Sequence, residues 1–197
     1  MFSFKAKYSC ISDEQLMQLV ISGDSEAFNQ IYQRYSQRLL YYFFRMLGNS
    51  NEKAQDFLQD IFIRLIDKAA TFDLSKKFST WIFSIAHNMC KNEYRRMEIR
   101  KDVAIESFDE KMLLDEPFND WQHIDIDQMI KHLFEELESF DEIHKTAFLL
   151  HYREGCSVKD IGQILEISEG TVKSRLFYTR KRLSERLAKY QRTEPLF

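Results

Sequence analysis

Apolar residues recur at steps of three and four along most of the chain, the period of helices with one buried face. Ser12 and Gln15 are spaced as a capping box, and Ile11 and Leu16 as a hydrophobic staple. They predict a first helix from Ser12 that carries Leu16, Leu19 and Val20 inward and breaks at Gly23-Asp24. A second helix runs from about Ser25 to Leu47. Its core face is Phe28, Ile31, Tyr32, Tyr35, Leu39, Tyr42, Phe43 and Met46, and Gly48-Asn49 is its stop. A third starts near Asn51 with Ala54, Phe57, Leu58, Ile61, Phe62, Leu65 and Ile66 inward. Residues 70–78 read as a loop. A fourth helix begins after Phe78, capped by Ser79 or Thr80, with Ile82, Ile85, Ala86 and Met89 inward.

The period then lapses. Residues 100–121 are acidic, lack a helical repeat and contain Pro117, which marks a linker. Beyond it Ile126, Met129, Ile130, Leu133, Phe134 and Leu137 define a helix, and Ile143, Ala147 and Leu150 the next, ending near Gly155. Ser157 and Asp160 cap a short helix over 158–165, Glu166-Ile167 forms a turn, and Ser168 caps a long final helix with Val172, Leu176, Leu183 and Leu187 inward. The alternation of a half-buried strand is absent. The pattern therefore predicts an all-α chain of two small helical domains, at 1–98 and 122–197, joined by a flexible acidic linker at 99–121. The second domain is a helix-turn-helix.

Composition agrees with folded helices: 44% of the 197 residues are apolar, and only 5 are Gly and 2 Pro. The net charge of -3 excludes a uniformly basic nucleic-acid binder, but the distribution is uneven. Between Ser168 and Arg192 eight Lys and Arg face two carboxylates; between Glu98 and Asp120 eight carboxylates face three cations. Basic ends flanking an acidic middle suggest two nucleic-acid-binding modules and a solvated connector. Cys10, Cys90 and Cys156 form no CxxC pair and no disulfide framework, which fits a reducing cytosol. His87 and Cys90 could share a helix face but have no further ligands nearby, so no metal is expected. No apolar run reaches the ~20 residues of a membrane span, and the N-terminus lacks a signal peptide's apolar stretch.

Three faces could carry chemistry. On the final helix Lys173, Ser174, Arg175, Phe177 and Tyr178 lie mostly off the buried stripe, with Thr171 at its start. Arg and Lys pair with guanine edges and Ser with bases or phosphates, so this half reads as the recognition helix of a helix-turn-helix. Arg180, Lys181 and Arg182 lie further back and suit phosphates. On the fourth helix Trp81, Asn88, Lys91 and Arg95 follow one side, flanked by Asn92 and Arg96, and Phe72 and Phe78 lie near its start. Aromatic rings beside a basic groove suit unstacked bases, and Asn an extruded base edge. Core packing beside a solvated basic face is the alternative. On the third helix Asp56, Gln59 and Asp60 make an acidic side, suited to a basic protein partner or to water. No GxxxxGK[ST], HExxH or nucleophile-base grouping is present, so no catalytic residue and no cofactor is expected.

These segments, in this order, resemble the extracytoplasmic-function sigma factors. The resemblance rests on the runs at 24–35, 56–65 and 78–88, including Phe78-Ser-Thr-Trp81, and on 147–186 with Gly170-Thr-Val-Lys-Ser-Arg-Leu176. It implies that Asp56, Gln59, Asp60 and Phe62 dock on the clamp coiled coil of core RNA polymerase. It implies that the loop around Phe72 and the face with Trp81, Asn88, Lys91, Asn92, Arg95 and Arg96 read and open the downstream promoter element. Lys173, Ser174, Arg175 and Phe177 would read the upstream element. A cytoplasmic transcription initiation factor without catalysis of its own follows, held off by an anti-sigma partner that is often membrane-bound. The competing reading is a helix-turn-helix regulator that binds only duplex DNA.

Overall fold

A computed structural model describes residues 8, 10–103 and 124–191. Most of the acidic connector, with Pro117, lies outside these residues, as do positions 192–197. The described chain is helical and divides into two compact units.

The first unit holds α1 (Asp13–Ile21), α2 (Ser25–Met46), α3 (Asn51–Lys68), a single turn at Ala69–Thr71, and α4 (Phe78–Val103). Local chemistry starts three of these helices. Ser12 and Gln15 form the reciprocal capping box of α1. Asp24 accepts from the N–H groups of Glu26 and Ala27 to cap α2, and Ser50 accepts from Lys53 to cap α3. Gly23 and Gly48 turn the chain between them at positive φ.

The start of α4 is different. Neither Ser79 nor Thr80 caps it; the N–H of Phe78 donates to Glu14 Oε1 at 3.0 Å, across a sequence separation of 64. The carboxylate of α1 thus sits where the positive end of α4 favours an anion. Arg34 secures α1 in turn, donating to Asp13 at 2.6 Å and to the carbonyl of Ile11 at 3.0 Å. The Tyr35 hydroxyl also donates to Asp13. Burial first, and the bond to Asp13 second, push the Tyr35 hydroxyl far above the usual phenol range, so it stays a donor.

The core of this unit is Leu16, Met17, Ile31, Tyr35, Leu39, Phe43, Ile61, Leu65, Phe78, Ile82 and Phe83, all essentially inaccessible. Two residues of the expected stripes are exposed instead. Ile66 is 56% exposed because the row after Leu65 continues to buried Ala69, which leaves Ile66 on the flank. Tyr32 is 44% exposed and lies against Phe62 with ring centroids 4.7 Å apart. Helix α4 runs past Glu98 to Val103. Met97 and Ile99 are exposed there, and the sequence of this stretch is rich in helix-favouring Arg, Met, Glu and Lys.

The second unit holds α5 (Ile124–Leu137), α6 (Glu142–Phe148) with a π-helical turn at Leu149–Arg153, α7 (Val158–Leu165) and α8 (Glu169–Gln191). Asp141 caps α6, Ser157 and Asp160 form a full capping box at α7, and Ser168 Oγ accepts from Thr171 N–H at 3.1 Å to cap α8. Leu137, Ala147, Leu150, Ile161, Val172, Leu176 and Leu183 fill the core. Met129 and Ile130, expected inside, are 40% and 47% exposed, while Ile126 is outside the described side chains. Thr179 is fully buried on α8.

The tight turn between α7 and α8 depends on Gly162. A Cβ there would lie 2.9 Å from the backbone carbonyl of Ile167. The N–H of Ile167 donates to the Gly162 carbonyl at 3.0 Å, so neither group can withdraw without loosening the turn. Gly162→Ala is expected to destabilise the second unit by about 1–3 kcal/mol, despite alanine's better helix propensity. Thermal unfolding that is unchanged or raised in the variant would contradict this.

Candidate nucleic-acid interface

Helix α8 presents three sides. Val172, Leu176, Thr179 and Leu183 point into the core. Lys173, Ser174, Phe177, Tyr178, Arg180 and Lys181 are exposed on the opposite arc, Phe177 at 54% and Tyr178 at 62%. The third side faces α5 and α6. Arg186 donates to Glu136 and Ser139, and the Arg182 guanidinium lies over the Phe140 ring at 4.9 Å. Arg175 belongs to this side: it is half-buried, with its Nε inaccessible. Burial acts to raise the Asp141 carboxyl, but hydrogen bonds from His144 and the nearby charges of His144 and Arg175 hold it below the usual range. Arg175 therefore sits toward the cap of α6, away from the exposed arc that sequence grouped it with. Thr171 is half-buried, its hydroxyl 2.8 Å from Ser168 Oγ, and serves the cap.

On α4 the expected face is present but uneven. Asn88, Asn92, Arg95 and Arg96 are exposed and Lys91 is half-buried. Glu93 lies 4.0 Å from Arg96 and 3.6 Å from Lys53, which offsets part of the local positive charge. Phe72 is not on this face. It is 5% exposed, its ring centroid 5.8 Å from Phe78 and 5.1 Å from Trp81. Trp81 is half-buried and bridges this cluster to the surface. The loop beside it is preformed: Asp73 accepts from the N–H and the hydroxyl of Ser75, and those bonds lower the Asp73 carboxyl pKa. Leu74, at the loop's tip, is 42% exposed between this turn and Lys76-Lys77.

On α3 Asp56, Gln59 and Asp60 are exposed along one side. Phe62 is separate from them: it is 5% exposed and packs edge-on to Phe28 and against Tyr32. The surface beside the acids is instead supplied by Ile63 and Ile66, 57% and 56% exposed. Ile66 was expected in the core, and nothing in the sequence singled out Ile63.

Residues 31–98 match the Sigma-70 region 2 family and residues 128–183 the Sigma-70, region 4 family. The chain is 30% identical over 179 residues to the ECF RNA polymerase sigma factor SigW of Bacillus subtilis, covering 85% of this chain and 92% of that protein. The chain belongs to the extracytoplasmic-function sigma factors. The ECF RNA polymerase sigma-E factor of Haemophilus influenzae is 27% identical over 186 residues, covering 90% of this sigma factor and 96% of that one. The fold is shared with the sigma factor RpoE solved in complex with the anti-sigma factor NepR from Bartonella quintana. That likeness has a TM-score of 0.67 at 21% identity and covers 84% of this chain and 98% of the other.

Membership assigns the N-terminal unit of this sigma factor to region 2, so the alternative of a duplex-only regulator with an N-terminal sensor is set aside. Among the described residues no group of three or more His, Cys, Asp or Glu could hold a metal, and no helix is long and apolar enough to cross a membrane.

Proposed function

We propose that this sigma factor directs core RNA polymerase to a subset of promoters by dividing three tasks among three faces. The observation that carries the reading is the coexistence, in one sigma-family chain, of an exposed basic arc on α8 and an exposed Asn-Arg face on α4 beside an aromatic cluster. The arc of Lys173, Ser174, Phe177, Tyr178, Arg180 and Lys181 reads the duplex upstream element, with Arg175 and Thr171 in supporting roles. Asn88, Lys91, Asn92, Arg95 and Arg96, with the edge of Trp81, hold unpaired bases of the downstream element. Phe72 supports that face from beneath. Asp56, Gln59 and Asp60, now joined by Ile63 and Ile66, dock on the polymerase, while Phe62 fixes α3 from within.

The chain breaks no covalent bond in this scheme. Strand separation draws on the stacking of extruded bases, each worth about 1–3 kcal/mol. The two units act as separate modules joined by the acidic segment between them. The site of action is the cytoplasm, where promoter DNA is. An anti-sigma protein holds the factor inactive; adding such a partner to the assay below abolishes the product.

Run-off transcription with core polymerase on a random promoter library tests the scheme and reads the specificity together. A conserved pair of enriched elements and co-purification with polymerase are expected; enrichment of one duplex element without any transcript would overturn it. Asn88→Ala is expected to lower promoter opening, read as permanganate-reactive thymines, by about fivefold or more, the loss of one ~1–3 kcal/mol base contact. Polymerase binding should stay within about twofold, since no base contact contributes to it. Equal loss of both would remove Asn88 from the opening face.

A further inference from the structure

The π-helical turn Leu149–Arg153 interrupts the regular end of α6, and such turns redirect the side chains they carry. Here His151 and Tyr152 come to lie beside α8. With Lys173, Leu176, Phe177 and Arg180 they line a shallow open groove along the edge of the recognition helix. Tyr152 is 51% exposed; its ring lies tilted against Phe148 at 4.7 Å and meets the His151 ring edge to face at 4.8 Å. The His151 Nδ1 lies 3.1 Å from the carbonyl oxygen of Cys156. A carbonyl only accepts, so Nδ1 carries the hydrogen and Nε2 is the nitrogen able to gain one. Histidine is the side chain that ordinarily changes charge between pH 5 and 8.

The charged groups lining this groove are all cationic. Lys173 and Arg180 come from α8, Cys156 presents a carbonyl from the loop, Tyr152 and Phe177 present rings, and no carboxylate is in the lining. The ligand complementary to two fixed cations and one conditional cation is an anion. Lys173 and Arg180 also belong to the arc read as the duplex-facing side, which makes that anion a backbone phosphate beside the major groove.

We infer that His151 is a proton-linked contact to the DNA backbone, taking up a proton as the upstream duplex binds. The inference rests on the reading of α8 as the duplex-recognition helix. A phosphate in the groove favours the charged imidazole, so binding and protonation help each other. Affinity for the duplex is therefore highest in mild acid and falls as the pH rises through the histidine range. Promoter recognition by this sigma factor is thereby tuned by the pH around it.

The test uses the full chain and a fluorescent duplex carrying the upstream element enriched in the run-off experiment. Affinity and its salt dependence are measured at about pH 5.5 and about pH 8, bracketing histidine's ordinary range. The unmodified protein is expected to bind about fivefold to tenfold tighter at the lower pH. Its salt slope should steepen there by about 0.9, one added phosphate contact. His151→Gln should change less than about twofold between the two pH values, and His151→Arg should bind tightly at both. His132→Gln and His144→Gln should keep the full pH response. Duplex binding that is indifferent to pH overturns the proposal and leaves the reading of α8 standing. A pH response that survives in His151→Gln also overturns it. Failure to bind the duplex at either pH overturns the reading of α8 itself. If circular dichroism shows His151→Gln to be unfolded, the His151→Arg profile decides, a retained pH response counting against the proposal.

Discussion

Phe72→Ala is expected to lower the stability of the first unit by about 3–5 kcal/mol, the usual cost of truncating a buried phenylalanine. For a domain of this size that is a fall of more than about 10 °C in Tm. Phe72 is 5% exposed and closes a three-ring cluster with Phe78 and Trp81. Phe78 meets buried Tyr35 edge to face at 5.0 Å, so the cavity would open onto the centre of the core. Phe72→Leu keeps most of the volume and should cost less than about 1.5 kcal/mol. Calorimetric melting of the two variants, followed by promoter opening at a temperature where both are folded, separates support from direct contact. Unchanged stability in Phe72→Ala together with lost opening would return Phe72 to the DNA-facing set.

The contrast between Phe72 and Asn88 shows what a sequence can and cannot disclose. Caps are local, so the boxes at Ser12 and Ser157, and the start of α8 at Ser168, were legible from residues three positions apart. The all-α class and the helix-turn-helix followed from the same short-range signals. The cap on α4 was not legible, because Glu14 reaches it only after α1 has folded back against the unit. Periodicity placed Ile66, Met129 and Ile130 inside because it counts steps along one helix and cannot see where the neighbouring helix ends. Phe62, which periodicity placed inside and the family resemblance made a contact, packs against other rings, as does Phe72, which residue chemistry and the resemblance both aimed at DNA. The π-helical turn, and with it the position of His151, has no sequence signature that periodicity could register.

The charges of α8 were the least legible feature, and their division yields the second large effect. Removing both Lys173 and Arg180 by alanine substitution is expected to weaken duplex binding by about 2 kcal/mol or more, roughly thirtyfold, at moderate salt. The salt slope should fall by about 1.8, two phosphate contacts at about 0.9 each. Both side chains are exposed and line the groove beside His151, so stability should barely change. Arg182 and Arg186 carry the same charge on the same helix, but their partners are Phe140, Glu136 and Ser139 within the unit. The double alanine variant of that pair should therefore melt earlier while keeping the salt slope of the unmodified protein. Net charge removed is identical in the two variants, so a nonspecific electrostatic effect predicts the same slope for both. Equal slopes in the binding isotherms would show that α8 acts as an undifferentiated basic surface; unequal slopes would place the duplex on the arc that carries Lys173 and Arg180.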